Sequence, residues 1–598
     1  MMTLKIPGVY VQEIPTLPPG VAEVNSAIPA FIGYTELSKF NEIVFTNQPI
    51  KIQSMLEFVR IFGTSAPFTI TGVTEVLAAT ETDATVENQY YMYDSLQLYF
   101  LNGGGPCYIV SVGSYPGSAN ETDFENGLNA LDLFDEPTIY LFPDAVKLTD
   151  DNLAKLQQLS LKKCGELMDR FSILDLKMNT APLQTLKSVS DFRDKIGMAN
   201  LNYGAAYTPW LKTTLDKDIT ASSITGIFTQ IDKLGTTILN KEINGKTVGA
   251  TVTDYKGVLD NLIALKGTAA ITTIFNDFES QITAYASGAK KTKNPFSAGE
   301  VFDPVLVFAT PSANVQTFWN TEVKANLTNF ETEYDAITGG NATELAENKA
   351  DYMNALLNNT SMLRFKNLYE FVSNGLKSTL DSFELFMIEN IPYYASLLKI
   401  LKNKLTTLPP SGAIAGLYCK TDNEKGVWKA PANISVSAVS GVAQLYSNSD
   451  LGDLNVDAVA GKSINVIRPI TGYGTMVMGA RTLSGNDSEW RYIPVRRLFI
   501  FIEENLKKST AWAVFEPNDR LLWLKVRSQI ENYLFELWRR GALAGAKPEH
   551  SYQVNCGLNS TMTAQDVLEG KLLIEIKLAA VRPAEFIVLK FSHQLQKS

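Results

Sequence analysis

Two histidines, His550 and His593, are all the imidazole that this 598-residue chain carries. That scarcity excludes most metal centres and most His-based acid–base schemes. Four cysteines, Cys107, Cys164, Cys419 and Cys556, stand far apart with no CxxC pair. They are too few for a disulfide framework in so long a chain, so reduced thiols and synthesis in a reducing cytoplasm are expected. No 18 apolar residues run unbroken, which argues against a transmembrane helix. The opening MMTLKIPGVYVQEIP has no basic stretch followed by an apolar one, so no signal peptide is read. A net charge of -10 argues against direct nucleic-acid binding, which needs a surplus of Lys and Arg.

Catalytic signatures are missing as well. There is no HExxH and no GxSxG. Gly461-Lys462-Ser463 reads like the end of a phosphate loop, but Val456 stands where the loop's first glycine belongs. Gly103-Gly104-Gly105 follows a helix and precedes a strand, the reverse of a dinucleotide-binding loop, and reads as a tight turn. His550 near Cys556 has no group to orient it as a base. Asp422 and Glu424 beside Lys420 read as a salt-bridged loop rather than a hydrolytic carboxylate pair. No cofactor, no metal and no enzymatic activity are expected.

What is present is the composition of a globular protein: 45% hydrophobic, 10% aromatic and 19% charged residues. At roughly 150 residues per domain, the length predicts three or four units. Charge is uneven. Residues 481–598 hold 17 Lys and Arg against 13 Asp and Glu, a surplus of four that leaves -14 on residues 1–480. A mildly basic C-terminal part could dock on an acidic partner, or be an ordinary solvated surface.

Pro7, Pro15, Pro18 and Pro19 forbid helix at the start and leave an extended arm around Val9, Tyr10, Val11 and Gln12. Ile28–Gly33 reads as a buried strand. A strand at Ile50, a Ser54 cap, a helix presenting Leu56, Val59 and Phe62, and a Gly63 stop follow. Then strands and helices alternate. Helix is predicted over Gln89–Phe100, near Phe124–Phe134 and over Asp150–Met168; strand over Cys107–Val112, Thr138–Phe142 and Phe171–Asp175. Continuous apolar strands between helices predict an α/β fold class with a largely parallel sheet. From about Lys212 to Leu385 the texture turns rich in Thr, Asn, Ser and Ala, as an inserted, surface-exposed domain would be. Pro409–Asn433 reads as a Gly/Pro/Ala-rich connector. Arg496–Ile502 and Lys571–Leu578 read as strands. Between them a helix runs from an Asn518/Asp519 cap to Gly541, with Leu522, Val526, Ile530, Tyr533, Leu534 and Leu537 on one stripe. The chain closes on a strand-like Glu585–His593.

Several of these segments resemble the contractile tail sheath family of phages, R-type pyocins and extracellular contractile injection systems. KIPGVYVQEIP is similar to that family's PGVYVEE-type opening, and LYFLNGGGPCYIVSV to its FFxNGGGxCYVVxV. PPSGAIAGLYCKTDNEKGVWKAPAN is close to PPSGxxAGxYAxxDxxRGVWKAPAN, departing mildly at Cys419 and Lys425. INVIRPITGYGTMVMGARTL, WRYIPVRRLFIFIE, FEPNDRLLW, LWRRGALAGA and AAVRPAEFIVLKFSH follow in the family's order, covering about residues 4–212 and 386–598.

The resemblance implies a multi-domain, mixed α/β sheath subunit. Its expected parts are an N-terminal arm at 1–28, an α/β layer at 29–212, an inserted outer domain at 213–385 and an inner domain at 386–598. The inner domain is discontinuous, because the N-terminal arm is counted with it. It implies a homo-oligomer of stacked six-fold rings around an inner tube protein, with baseplate and cap proteins at the ends, in a phage tail or tail-like particle. Contraction drives the tube through an envelope without consuming a nucleotide. Arm strands Val9–Gln12 and Phe586, Ile587, Val588, Leu589, Lys590 and Phe591 would complete sheets in neighbouring subunits. Tube contact would come from a helix of the inner domain, with Arg520, Lys525, Arg527, Arg539 and Arg540 as candidates. Two other readings compete. One is a different assembly protein, such as a capsid or surface-layer subunit. The other is an α/β hydrolase, which would need polar residues converging near Gly103 or Asp144.

Overall fold

The computed structural model describes residues 21–267 and 378–586, apart from 22, 41–42, 72–84, 116–117, 180–183, 218, 220–223, 225–238, 244 and 392–393. The chain divides into two compact units. One comprises residues 1–67, 88–217 and 405–598; the other comprises 68–87 and 218–404.

The first unit is built on a nine-stranded sheet. Its strands are β1 (Pro29–Thr35), β2 (Pro49–Ile52), β3 (Cys107–Ser114), β4 (Ile139–Leu141), β5 (Phe171–Asp175), β6 (Gly204–Thr208), β7 (Ile434–Ser435), β8 (Asn465–Ile470) and β9 (Gly474–Val477). The spatial order is β7-β9-β8-β6-β5-β4-β1-β3-β2. The six strands from β8 to β3 are mutually parallel, with Phe31 opposite Ile109 and Ala205 opposite Ile173. β2, β9 and β7 are antiparallel additions at the two edges. Every residue of β1, β4, β5 and β6 is buried, as strands covered on both faces must be. A parallel α/β sheet is therefore present, and three of its nine strands come from 434–477, inside the stretch the resemblance assigned to the inner domain.

The helices that cover it include α1 (Met55–Phe62), α2 (Met92–Leu101), α3 (Glu121–Ala130) and α4 (Asp150–Leu167). Ser54 and Thr149 cap α1 and α4 by accepting from Glu57 N and Asn152 N. The buried face of α1 is Phe58 and Phe62, whereas Leu56, expected on that face, is 80% exposed.

Pro409–Asn433, expected as a connector, is instead mostly helix: Ser411–Lys425 forms α5, with ten of its fifteen residues buried. Asp422 and Glu424, expected in a loop, lie on its last turn. Its Gly412 and Gly416 lie against the backbone of α2. A Cβ at Gly412 would sit 2.3 Å from the Ser95 carbonyl oxygen, and one at Gly416 2.5 Å from that of Tyr99. Glycine here serves close helix approach, not a turn. Arg496–Ile502, expected as a strand, lies inside α6 (Ile493–Ser509). A run such as LFIFI cannot be assigned by periodicity alone. Pro494 in the first turn and Lys507 and Lys508 in the last are the helix signals that decide it.

α6 packs against α7 (Arg520–Arg539), whose Asp519 cap accepts from Leu522 N at 2.9 Å. The expected stripe of Leu522, Val526, Ile530, Tyr533, Leu534 and Leu537 is buried, in one core with Leu498, Phe501, Ile502 and Leu506. The second unit holds the helices Val248–Gly267, 378–390 and Tyr394–Leu405. Tyr255 meets Phe383 and Phe386 at ring distances of 5.4 and 5.8 Å, and Tyr394 Oη donates to Glu384 at 2.9 Å.

Candidate assembly interface

On the core formed by α6 and α7 lies a separate small sheet of two antiparallel strands, β10 (Tyr552–Cys556) and β11 (Ile574–Leu578). Tyr552, Val554, Ile574, Ile576 and Leu578 pack on that core. Gln553, Glu575 and Lys577 stand exposed on the other face, the two-residue alternation of a half-covered sheet. Ala579 donates its N–H to the Ser551 carbonyl at 2.9 Å. That bond makes 553/577 and 555/575 the hydrogen-bonded pairs. The backbone groups of 552, 554, 556 and of 574, 576, 578 therefore point away from the partner strand. Among the described residues, no strand lies along either outer edge. Two strands alone are marginal in water, and each open edge presents a row of unpaired donors and acceptors.

Of the arm residues, Phe586 is 72% exposed. Val9–Gln12 and Ile587–Phe591 lie outside the described residues. The five basic candidates are all exposed, but their surroundings differ. Arg527 pairs with Glu531 at 2.8 Å, Arg539 with Glu536 at 2.8 Å, and Arg540 with Glu23 while lying over the Trp428 ring. Arg520 and Lys525 have no ion-pair partner among the described residues. They share the exposed side of α7 with Leu521 and Leu524.

The motifs weighed for chemistry have structural places. Lys462 is buried and its ammonium donates to the Arg193 carbonyl, while Asp457 accepts from the backbone of Val459, Ala460 and Lys462. Asp144 is buried, with Tyr34 N on one oxygen and Tyr91 N and Met92 N on the other; burial pushes it up to about 6. It staples the end of β1 to the start of α2. Asp175 does the same for α5, accepting from Ser411 N at 2.9 Å and from the Ser411 hydroxyl, and burial pushes it up to about 7. Burial also raises the thiols of Cys107, Cys164, Cys419 and Cys556, which makes them poor nucleophiles. Among the described residues, no group of His, Cys, Asp and Glu is arranged to hold a metal, and no helix is long and apolar enough to cross a membrane.

Residues 485–593, which contain α6, α7 and the two-stranded sheet, match the profile of the phage tail sheath C-terminal domain. Over 185 residues the chain is 26% identical to the tail sheath protein of Vibrio phage KVP40, covering 31% of this chain and 26% of that protein. It is 25% identical to the tail sheath protein of Enterobacteria phage T4, again over 185 residues, covering 31% and 27%. Residues 485–593 thus carry a phage tail sheath C-terminal domain, and the chain is similar to phage tail sheath proteins over 185 residues. The match spans only about a quarter of the length of these two relatives. Two solved sheaths share the fold. The anti-feeding prophage helical sheath in its contracted state superposes with a TM-score of 0.52 at 23% identity, covering 99% of this chain and all of that one. The PVC sheath complex of an extracellular contractile injection system, also contracted, gives 0.51 at 20% identity, covering 99% of each.

Sequence reasoning found the tail sheath motifs but not the packing glycines Gly412 and Gly416 nor the open edges of β10 and β11. The glycines carry a signal, a four-residue spacing inside an apolar run. The edges carry none, because an unpaired strand reads the same as a paired one.

Proposed function

We propose that this chain is the subunit of a contractile sheath, polymerising as stacked six-membered rings around an inner tube and contracting to drive that tube through a target envelope. The observation that carries the reading is the two-stranded sheet with both outer edges open. Strand addition by the arms of neighbouring copies satisfies those edges. On this reading Val9–Gln12 and Phe586–Phe591 are the added strands, residues 1–28 form the first arm, and residues 213–385 face outward. Baseplate and cap proteins close the ends. Contraction is a one-way relaxation from a kinetically trapped extended state, with subunits turning as nearly rigid bodies on their arms. It needs no nucleotide, and the subunit is no enzyme.

Tube contact falls to Arg520 and Lys525, the two candidates with no carboxylate against them among the described residues. The contribution of one exposed pair is small, but repetition through every ring adds up. The test is electron microscopy of the purified chain with and without residues 1–20 and 586–598. The full chain is expected to build striated hollow sleeves and the trimmed chain to remain a soluble monomer. Sleeves from trimmed chains would refute the arm exchange.

A further inference from the structure

The described roots of both arms are tied down by polar groups, and the ties converge on one helix. At the C-terminal end, Glu585 stands just before the exposed Phe586. Its Oε1 accepts from Asn455 Nδ2 at 2.9 Å and Arg481 Nε at 2.8 Å. Its Oε2 accepts from Arg481 Nη2 at 2.7 Å and Tyr492 Oη at 3.0 Å. All four acceptor positions of the carboxylate are thus filled, two of them by the planar fork of one guanidinium. Arg481 is itself only 4% exposed and sends its remaining donors to the carbonyls of Asn455 and Gly485. Burial alone pushes Glu585 up; the hydrogen bonds from Arg481 and Asn455 outweigh it and hold the carboxyl below its usual range.

At the N-terminal end the anchor is Ser26. Its hydroxyl donates to Asp422 Oδ2 at 2.6 Å, and its carbonyl accepts from Arg497 Nη2 at 3.1 Å. Asp422 and Arg497 form a buried bidentate pair at 2.6 and 3.0 Å. Val24 N donates to Asn505 Oδ1 at 2.7 Å, and Glu23 pairs with Arg540. Tyr492 is the cap residue of α6, and Arg497 and Asn505 lie on it. At about 1.5 Å per residue, these three points span roughly 20 Å of one straight element.

We infer that α6 is a tie bar joining the roots of the two arms, and that Glu585 is the positioning residue that fixes the direction in which the C-terminal arm leaves. The inference rests on the proposed arm exchange. A pull on one arm reaches the other through hydrogen-bonded anchors and a rigid helix, so subunits linked by their arms keep a common register as they move. The hinges of the arms then lie outside the anchors, before Glu23 and after Glu585.

The test is self-assembly of four purified proteins: the full chain, a chain ending at Glu585, Glu585→Ala and Tyr492→Phe. Sedimentation gives the critical concentration, and electron microscopy gives the axial repeat. The chain ending at Glu585 is expected to stay monomeric; if it polymerises normally, arm exchange itself is wrong. Glu585→Ala is expected to keep its monomer fold by circular dichroism, raise the critical concentration roughly tenfold or more and blur the axial repeat. Tyr492→Phe removes one donor and is expected to raise the critical concentration roughly two- to tenfold in a folded chain. If Glu585→Ala is folded and assembles with unchanged critical concentration and repeat, the tie bar is refuted while arm exchange stands. If Glu585→Ala does not fold, an unchanged critical concentration for Tyr492→Phe refutes it.

Discussion

Alanine at Gly412 sets two physical effects against each other with opposite signs. Gly412 lies in the first turn of α5, and on helix propensity alone alanine there stabilises by up to about 1 kcal/mol. Packing predicts the reverse. The new methyl would stand 2.3 Å from the Ser95 carbonyl oxygen and 2.8 Å from its carbonyl carbon, against 3.4 Å for ordinary contact. The obstacle is backbone, which cannot rotate away, so α5 and α2 must part by about 1 Å. Both helices are anchored at their N-termini by buried carboxylates, Asp175 for α5 and Asp144 for α2. Overpacking of this kind costs about 1–3 kcal/mol, and the rigid neighbours place this site at the upper end. The net expectation is a loss of about 2 kcal/mol, or roughly 2–3 °C in melting temperature at about 2.1 cal/mol/K of unfolding entropy per residue over a unit of this size. Gly416→Ala, with Tyr99 O at 2.5 Å, behaves alike. Gly452 is the control. It lies in the helix Asn448–Asn455, and a methyl there would meet no other part of the described structure within 4 Å, so alanine stabilises by about 0.5–1 kcal/mol. Calorimetry of arm-trimmed monomers reads all three. A rise in melting temperature for Gly412→Ala would refute the close-packing account of the PPSGAIAG segment.

Three further outcomes are expected. Arg520→Glu with Lys525→Glu should abolish polymerisation on tubes and leave the monomer's melting temperature unchanged, whereas Arg539→Glu, whose cation already pairs with Glu536, should do much less; co-sedimentation with tubes checks both. Asp175 and Asp144 have folded pKa values of about 7 and about 6, above the unfolded 3.8, so the stability they contribute is fully present below about pH 4 and is lost as pH rises through 6 to 7. Each gap corresponds to a few kcal/mol at most, and Asp175→Asn should flatten the upper part of the pH–stability curve measured by urea unfolding. Asp422→Ala leaves Arg497 charged and buried, which costs about 3–5 kcal/mol; a loss under about 1 kcal/mol in the same assay would show that water or another carboxylate takes over.

The α/β layer was legible because its strands are continuous apolar runs and its helices carry local caps. Ser54 and, in the C-terminal part, Asp519 each accept the backbone N–H expected of a cap, and Thr149 does the same for α4 although it is not among the caps expected from the sequence. Two helices were not legible, for different reasons. In α6 a dense apolar run hides the period, because nearly the whole circumference is buried, Arg496 and Arg497 included. In α5 glycine and proline imitate a loop, although the glycines answer to a neighbouring backbone more than 300 residues away in sequence. Leu56 shows a third limit: periodicity places a residue on a stripe, but only tertiary packing decides which stripe is covered. The anchors at Glu585 and Ser26 were illegible for the same reason, since Arg481, Asn455 and Asp422 are remote in the chain.

On the proposed reading, the open sheet must avoid random pairing before assembly, and two of its features bear on that. Each of its strands is only five residues long, and the exposed face carries Glu575 and Lys577, paired to each other at 3.5 Å. Short edges and charged side chains both discourage random strand addition. An incoming strand must therefore bring more than backbone groups. If the C-terminal arm adds as proposed, FIVLKF brings Ile587, Leu589 and Phe591 in alternation for the covered side, with specificity in the side chains and affinity in the backbone. Replacing Ile587 and Leu589 together by Ser keeps every backbone donor and acceptor. On this argument the doubly substituted chain should fold as a monomer yet fail to build sleeves, and normal sleeves from it would show that backbone pairing alone suffices.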